Sequence, residues 1–288
     1  MLGINTNAPS LGAQTNLSRS AGSLETSIAR LSSGLRVNSS KDDAAGLAIA
    51  ERMTAQIRGF DVASRNANDG ISLLQVADGA LGKITDNLQR MRELGVQAKN
   101  GTLNDTDRAN LNREFTELAN EVGRVATGTT FNDNNVFAAA NKSVELQIGS
   151  GNDAADTLNV NLTDDGLAGG NDLQTTLGGA TQAAIVTAFG GVDTAANAET
   201  AIDTIDTAID DITNLRATTG AGLSRLEQVV GSLETTSSNL SSARGRIMDA
   251  DFAKETANLT RSQILQQAGT AMLAQANQLP NNVLSLLR

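Results

Sequence analysis

Cysteine, histidine, tryptophan and tyrosine are all missing from this chain of 288 residues, and proline occurs only at Pro9 and Pro280. These absences exclude thiolate nucleophiles, imidazole bases, disulfides, the usual zinc ligands and a phenolic proton donor. The only aromatic residues are six Phe, so a core must be assembled mostly from Ala, Leu, Ile and Val. Such side chains suit narrow seams between helices better than the thick interior of an enzyme. No catalytic, metal-binding or cofactor-binding residue is therefore expected. The lack of cysteine fits a chain delivered to an oxidising exterior without disulfide hazards. The start, Met1 to Ser10, has neither the basic nor the apolar stretch of a cleavable secretory signal. No run reaches the roughly 18 apolar residues of a membrane-spanning helix, so no membrane partner is expected.

Basic residues are absent from Ser143 to Leu215, a stretch that holds twelve acids; the two flanks together hold 22 bases against 20 acids. Nearly neutral flanks can pack against copies of themselves, while an acidic middle prefers water. Without a basic stripe to neutralise phosphates, nucleic acid is disfavoured as a partner.

Apolar spacing then gives the architecture. Leu17, Ala21, Leu24, Ile28, Leu31 and Leu35 alternate gaps of four and three, the seam of a coiled coil. That helix is expected to end between Gly34 and Asn38. Ser39 to Asp43 offers caps for a second helix beginning near Ala44. Met53, Ile57, Phe60, Ala67, Ile71, Leu74, Ala77, Leu81, Ile84, Leu88 and Met91 carry this helix to about Lys99, where Asn100-Gly101 stops it. Ile71, Leu74 and Ala77 follow gaps of three and three, a local fault in the seam. After Asn104-Asp105-Thr106, Leu111, Phe115, Leu118, Val122 and Val125 predict a third helix folding back on the second.

Beyond Gly128 the period changes to two. Val144, Leu146 and Ile148, then Leu158, Val160 and Leu162, flank Gly149 to Asp153 and predict a β-hairpin with a longer loop. The stretch from Thr163 to Asn197 is rich in Gly, Thr, Asp and Ala and is expected to be the least ordered or most variable. A helix resumes near Ala198, with Ile205, Ile212, Thr219, Leu226, Leu233, Leu240 and Ile247 seven apart. The last segment repeats the spacing with Leu265, Met272, Leu279 and Leu286, with Ala268, Ala276 and Val283 beside them. The fold class expected is mainly α: a long, coiled-coil-like helical bundle with paired terminal helices and a small β-hairpin region. Each terminal helix exposes an apolar stripe too long for one chain to hide, so pairing with neighbouring copies follows. Head-to-tail contacts that do not close build a filament. The self-assembly seams are then Leu17, Leu24, Ile28, Leu31, Leu35, Leu265, Met272, Leu279, Val283 and Leu286.

Longer blocks of sequence are more specific. The run from Ile28 through Arg36 and Lys41 to Ala50 closely resembles the N-terminal signature of bacterial flagellin, as does Ser64 to Ile71. The C-terminal blocks Asn239 to Arg244, Ser262 to Gly269 and Leu284 to Arg288 resemble its other end. The resemblance covers residues 1–162 and 198–288. It implies a non-enzymatic structural subunit of the flagellar filament that serves motility, exported unfolded by the flagellar type III pathway and polymerised into an extracellular homopolymer. Its partners would be a flagellar export chaperone at the C-terminal helix, the filament cap and hook-junction proteins. The same resemblance divides the chain into a terminal inner-tube domain of residues 1–40 with 250–288, a helical rod of 41–162 with 198–249, and a short variable insert of 163–197 where the family often carries large outer domains. Gln89, Arg90, Glu93 and Leu94, with Glu114 on the third helix, resemble the segment of flagellins sensed by a host Toll-like receptor. A hook-filament junction protein shares the terminal helices, but the continuous signature blocks are of flagellin type. A catalytic middle domain is disfavoured because the insert is short and lacks histidine.

Overall fold

In the computed structural model the described residues are 7–137, 143–161 and 182–286, with side chains described except at Asn161 and beyond Gln278. They form six helices and two small hairpins: α1 Ala8–Ser33, α2 Ala44–Ala98, α3 Asp105–Gly128, β1 Thr130–Phe131, β2 Asn134–Asn135, β3 Ser143–Gln147, β4 Thr157–Asn161, α4 Gln182–Phe189, α5 Ala195–Met248 and α6 Phe252–Leu286. The chain divides into two compact units, residues 58–237 and residues 1–57 with 238–288.

The unit of residues 58–237 is built on α2. Leu74, Ala77, Leu81, Ile84, Leu88 and Met91 have no exposed surface, and their gaps of three and four keep them on one face of the helix. Phe115, Ala119, Val122 and Ala126 of α3 and Ala201, Ile205, Ala208 and Ile212 of α5 join the same core. The fault read at Ile71 disappears: the buried line runs Ala67, Gly70, Leu74, Ala77, so gaps of three and four continue and Ile71 is only half-buried. Apolar residues alone could not reveal this, because the missing seam position is a glycine. Its hydrogen side chain is needed there, since a Cβ on Gly70 would overlap Leu146 of β3 and crowd Leu226.

β3 and β4 form the expected antiparallel hairpin, with Val144 opposite Val160 and Leu146 opposite Leu158. Leu162, the last residue of that alternation, lies outside the described residues, as does the Gly-rich segment 163–181. The hairpin is fixed to α2 by the Asn66 amide, which donates to the Gln147 carbonyl at 3.0 Å. β1 and β2, which the period-two reading did not contain, are joined through Asn132 and Asp133 at φ 49° and 63°. These short polar residues tolerate the left-handed conformation that a two-residue hairpin turn demands.

Two further differences follow from the stretch 163–197. α5 begins at Ala195, three residues before the start expected near Ala198, and α4 has no counterpart in the sequence reading. α4 is only eight residues long, too short for a repeat to register, and docks on α3 by burying Ile185 and Phe189, followed by Val192. A bare glycine, Gly123, lets Gln182 approach α3 closely. The Asn112 side chain accepts the Val192 N–H at 2.8 Å.

Residues 1–57 with 238–288 form the other unit around α1 and α6. Asn7 caps α1 by accepting the Ser10 N–H at 3.1 Å, with Pro9 in the first turn, where its missing N–H costs nothing. Gly34 ends the helix at φ 71°, a left-handed cap that glycine adopts without strain. The chain then pairs briefly with the α5–α6 connection, Leu35 opposite Asp249. The Ala250 N–H donates to the Gly34 carbonyl at 2.9 Å. Asp42 closes the loop by accepting from the Ser39 N–H and hydroxyl, each at 2.9 Å, and from the Asn38 N–H. Asp43 takes the Gly46 N–H at 2.8 Å and so caps the start of α2, the role its sequence position suggests.

Candidate self-assembly surface

α1 and α6 run antiparallel, and polar contacts mark both ends of their seam. Near the start of α1, the Asn7 amide donates to the Ala276 carbonyl at 2.8 Å and the Ser10 hydroxyl donates to Asn277 at 2.8 Å. Toward its end, Arg30 Nη1 meets Glu255 Oε1 at 3.3 Å, with Asp42 4.0 Å from Nη2. Between them lie Leu17 against Gly269, whose missing Cβ keeps the helices close, and the small, buried residues Ser27 and Ser262.

This seam differs from the string of large apolar residues read in the sequence. On α1 the covered line is Ala13, Leu17, Ser20, Leu24, Ser27 and Leu31; on α6 it is Glu255, Leu259, Ser262, Gln266, Gly269, Leu273 and Ala276. Both lines keep heptad gaps, but every second position is small or polar. The sequence contains the signal, since Ser20 and Ser27, and Glu255, Ser262, Gly269 and Ala276, are each seven apart. A search restricted to apolar residues passes over it.

The expected seam residues therefore separate into two groups. Leu17, Leu24, Leu31 and Leu35 are half-buried within the unit. Ile28 is 50% exposed, Leu265 53% and Met272 65%, and Leu11, Phe252 and Ile264 are exposed with them. Leu279, Val283 and Leu286 have side chains outside the described residues.

The interior of the pair is underbonded. Glu255 is 6% exposed, yet its Oε2, like Arg30 Nε, has no hydrogen-bond partner among the described residues. Burying a charged pair that makes one 3.3 Å contact gains little against its desolvation. Asp42 is the better satisfied acid: the Ser39 hydroxyl above all, then the N–H groups of Asn38 and Ser39 and the charge of Arg30, hold its carboxyl below the usual carboxylate range.

The second expected cluster lies in the other unit. Arg90 donates to Glu114 at 2.8 and 3.0 Å and to Glu93 at 2.8 Å, and these bonds, Glu114 first, raise its already high pKa. Gln89, Arg90, Glu93 and Glu114 are exposed. Leu94 is 1% exposed and belongs to the core, so the exposed group consists of the other four. Two residues on and on the other side of α2, Arg92 pairs with Asp206 of α5, and that bond holds the Asp206 carboxyl below its ordinary range.

Comparison with known proteins decides what this arrangement belongs to. Residues 4–142 match the family model of the bacterial flagellin N-terminal helical region, and residues 202–287 that of the C-terminal helical region. The chain belongs to the bacterial flagellin family. That family consists of structural subunits of the flagellar filament and is not a family of enzymes. A flagellin of Halalkalibacterium halodurans is 43% identical over 99% of both chains, and one of Xenorhabdus nematophila is 41% identical over the same shares. The crystal structure of Bacillus cereus flagellin is 32% identical, with a TM-score of 0.49, and covers 62% of this chain and 94% of its own. A Vibrio parahaemolyticus protein assigned to the flagellar hook-associated class shares the fold alone, at 14% identity and a TM-score of 0.57 over 72% of this flagellin and 100% of that chain.

Proposed function

We propose that this flagellin polymerises through α1 and α6 into the extracellular filament used for motility, after export in an unfolded state by the flagellar type III pathway. The observation that carries the reading is the exposure of Ile28, Leu265 and Met272 on helices whose mutual seam is polar. One copy leaves these side chains in water, and contacts between copies recover their burial at about 1.5–3 kcal/mol for each Leu, Ile or Met fully covered. In this reading residues 1–40 with 250–288 line the inner tube, 41–162 with 198–249 form the next shell, and 163–197 stand in for a large outer domain. The export chaperone binds the C-terminal helix, and the cap and hook-junction proteins meet the ends of the polymer.

Removal of residues 1–40 and 250–288 tests the reading. The remaining body is expected to stay soluble and helical and to form no filaments in electron micrographs, whereas filaments from it would overturn the proposal.

Recognition by a host Toll-like receptor is a second proposed role, supported by the exposed group Gln89, Arg90, Glu93 and Glu114. Arg90→Ala is expected to reduce signalling in a receptor reporter assay by about tenfold or more, since charged hydrogen-bonded contacts at interfaces carry about 1.5–3 kcal/mol each. Unchanged signalling would remove this role.

A further inference from the structure

Charge around the α1–α6 pair is sorted by side. An α-helix advances by about 100° per residue, so Arg19 and Ser23 follow one flank of α1, and Ala21, Glu25 and Ile28 lie about 120° to 180° round from Arg19. The flank with Arg19 carries a groove. Two adjoining clefts of about 380 Å³ each share Ser20, Ser23 and Leu265. Together they run from Arg19 at one end to Arg30 and Arg261 at the other.

Glu255 is the one carboxylate among the lining residues, and it is engaged by Arg30. Among the described residues Arg261 donates only to the neutral Asn258, at 3.1 Å. Neither Arg19 nor Arg261 has an acidic partner among the described residues, and Glu25, exposed on the far flank, has no basic one.

We propose that the groove receives the Glu25 carboxylate of a second copy of this chain, held between Arg19 and Arg261, with Ile28 of the same copy packing against Leu265. The inference rests on the reading that the terminal helices polymerise and specifies which faces meet. Charge complementarity selects the occupant: two unpaired guanidinium groups border a hydroxyl-lined groove, and the terminal pair presents an unpaired acid on its opposite flank. An apolar side chain alone would leave the groove's polar lining unmet. Because donor and acceptor flanks differ, each copy offers a free groove on one side and a free Glu25 on the other. That contact is heterologous, and such contacts propagate into an open helical array instead of closing a dimer.

The absence of cysteine makes the test clean. Copies carrying only Glu25→Cys are mixed with copies carrying only Ser23→Cys, polymerised and oxidised. Disulfide-linked mixed dimers are expected from the filaments and not from monomers. Filaments in which Glu25→Cys copies link only to one another, or in which no copies link, would overturn the inference and leave the polymer reading standing. Failure of the unmodified chain to form filaments at all would overturn both.

Charge reversal supplies an independent readout. Glu25→Lys and Arg261→Glu should each raise the critical concentration for polymerisation about two- to tenfold, less so in high salt, and the double variant should recover most of the loss. Single reversals without effect, or a double variant no better than the singles, would contradict the pairing. Far-ultraviolet circular dichroism of each monomer distinguishes this from loss of helix.

Discussion

Leu74, Leu81, Ile84, Leu88 and Met91 of α2 have no exposed surface, whereas Ile28, Leu265 and Met272 on the terminal helices are 50%, 53% and 65% exposed. Both regions are long helices with heptad spacing; what fills the inward positions differs. In residues 58–237 large aliphatic side chains point inward and ion pairs such as Arg92–Asp206 and Arg216–Asp78 lie outside at 2.5 and 2.9 Å. In the terminal pair Ser27, Ser262 and Glu255 lie inside and much of the apolar surface lies outside. The first arrangement satisfies a single chain, and in the proposed polymer the second is completed by neighbours. Heptad spacing therefore gives the existence of a seam, and its chemistry gives whether the seam is internal or shared.

Substitutions should separate the two regions. The largest effect on the isolated chain is expected from Leu88→Ala, which removes a fully buried side chain and should cost about 2–5 kcal/mol in urea unfolding followed by helical circular dichroism. Gly70→Val should follow at about 1–3 kcal/mol, because its new methyl groups displace Leu146 and the hairpin. Leu265→Ser with Met272→Ser reverses the pattern. Monomer unfolding should move by less than about 0.5 kcal/mol, while sedimentation of polymer should fall to background. A loss of monomer stability as large as that of Leu88→Ala would place these residues in a core of the single chain.

A smaller effect concerns pH. Asp42 and Asp206 have carboxyl pKa values lowered in the folded chain, so their stabilisation is fully present above the unfolded value of about 3.9 and is lost as pH falls through the lower folded values. Thermal melts should decline below about pH 4. Asp42→Asn should reduce that decline in residues 1–57 with 238–288, and Arg92→Ala should reduce it in residues 58–237. Melts that decline identically in the variants would refute the assignment.

Much of this was legible in the sequence. The cap at Asp43, the cap at Asn104, whose side chain accepts the Asp107 N–H at 2.8 Å, the stop at Gly34 and the β3–β4 hairpin follow from local rules whose residues do what their chemistry suggests. What escaped has physical causes. Gly70 occupies a seam position without an apolar side chain to mark it. The eight residues of α4 are held by docking on α3 and not by their own periodicity. Asn132 and Asp133 shape a turn too short to alter any periodic pattern. In the terminal pair, Ser20, Ser27, Glu255 and Ser262 fill heptad positions where polarity conceals their burial. Exposure of Arg90 and burial of Leu94 likewise depend on which face of α2 meets α3 and α5, and a short motif does not carry that.

Amide hydrogen exchange, measured residue by residue on monomer and on filament, tests most directly the claim that the terminal seam is completed by other copies. Amides of residues 8–33 and 252–278 should exchange orders of magnitude faster in the monomer than in the filament, while those of residues 74–98 stay protected in both. Equal, strong protection of the terminal helices in monomer and filament would contradict the account.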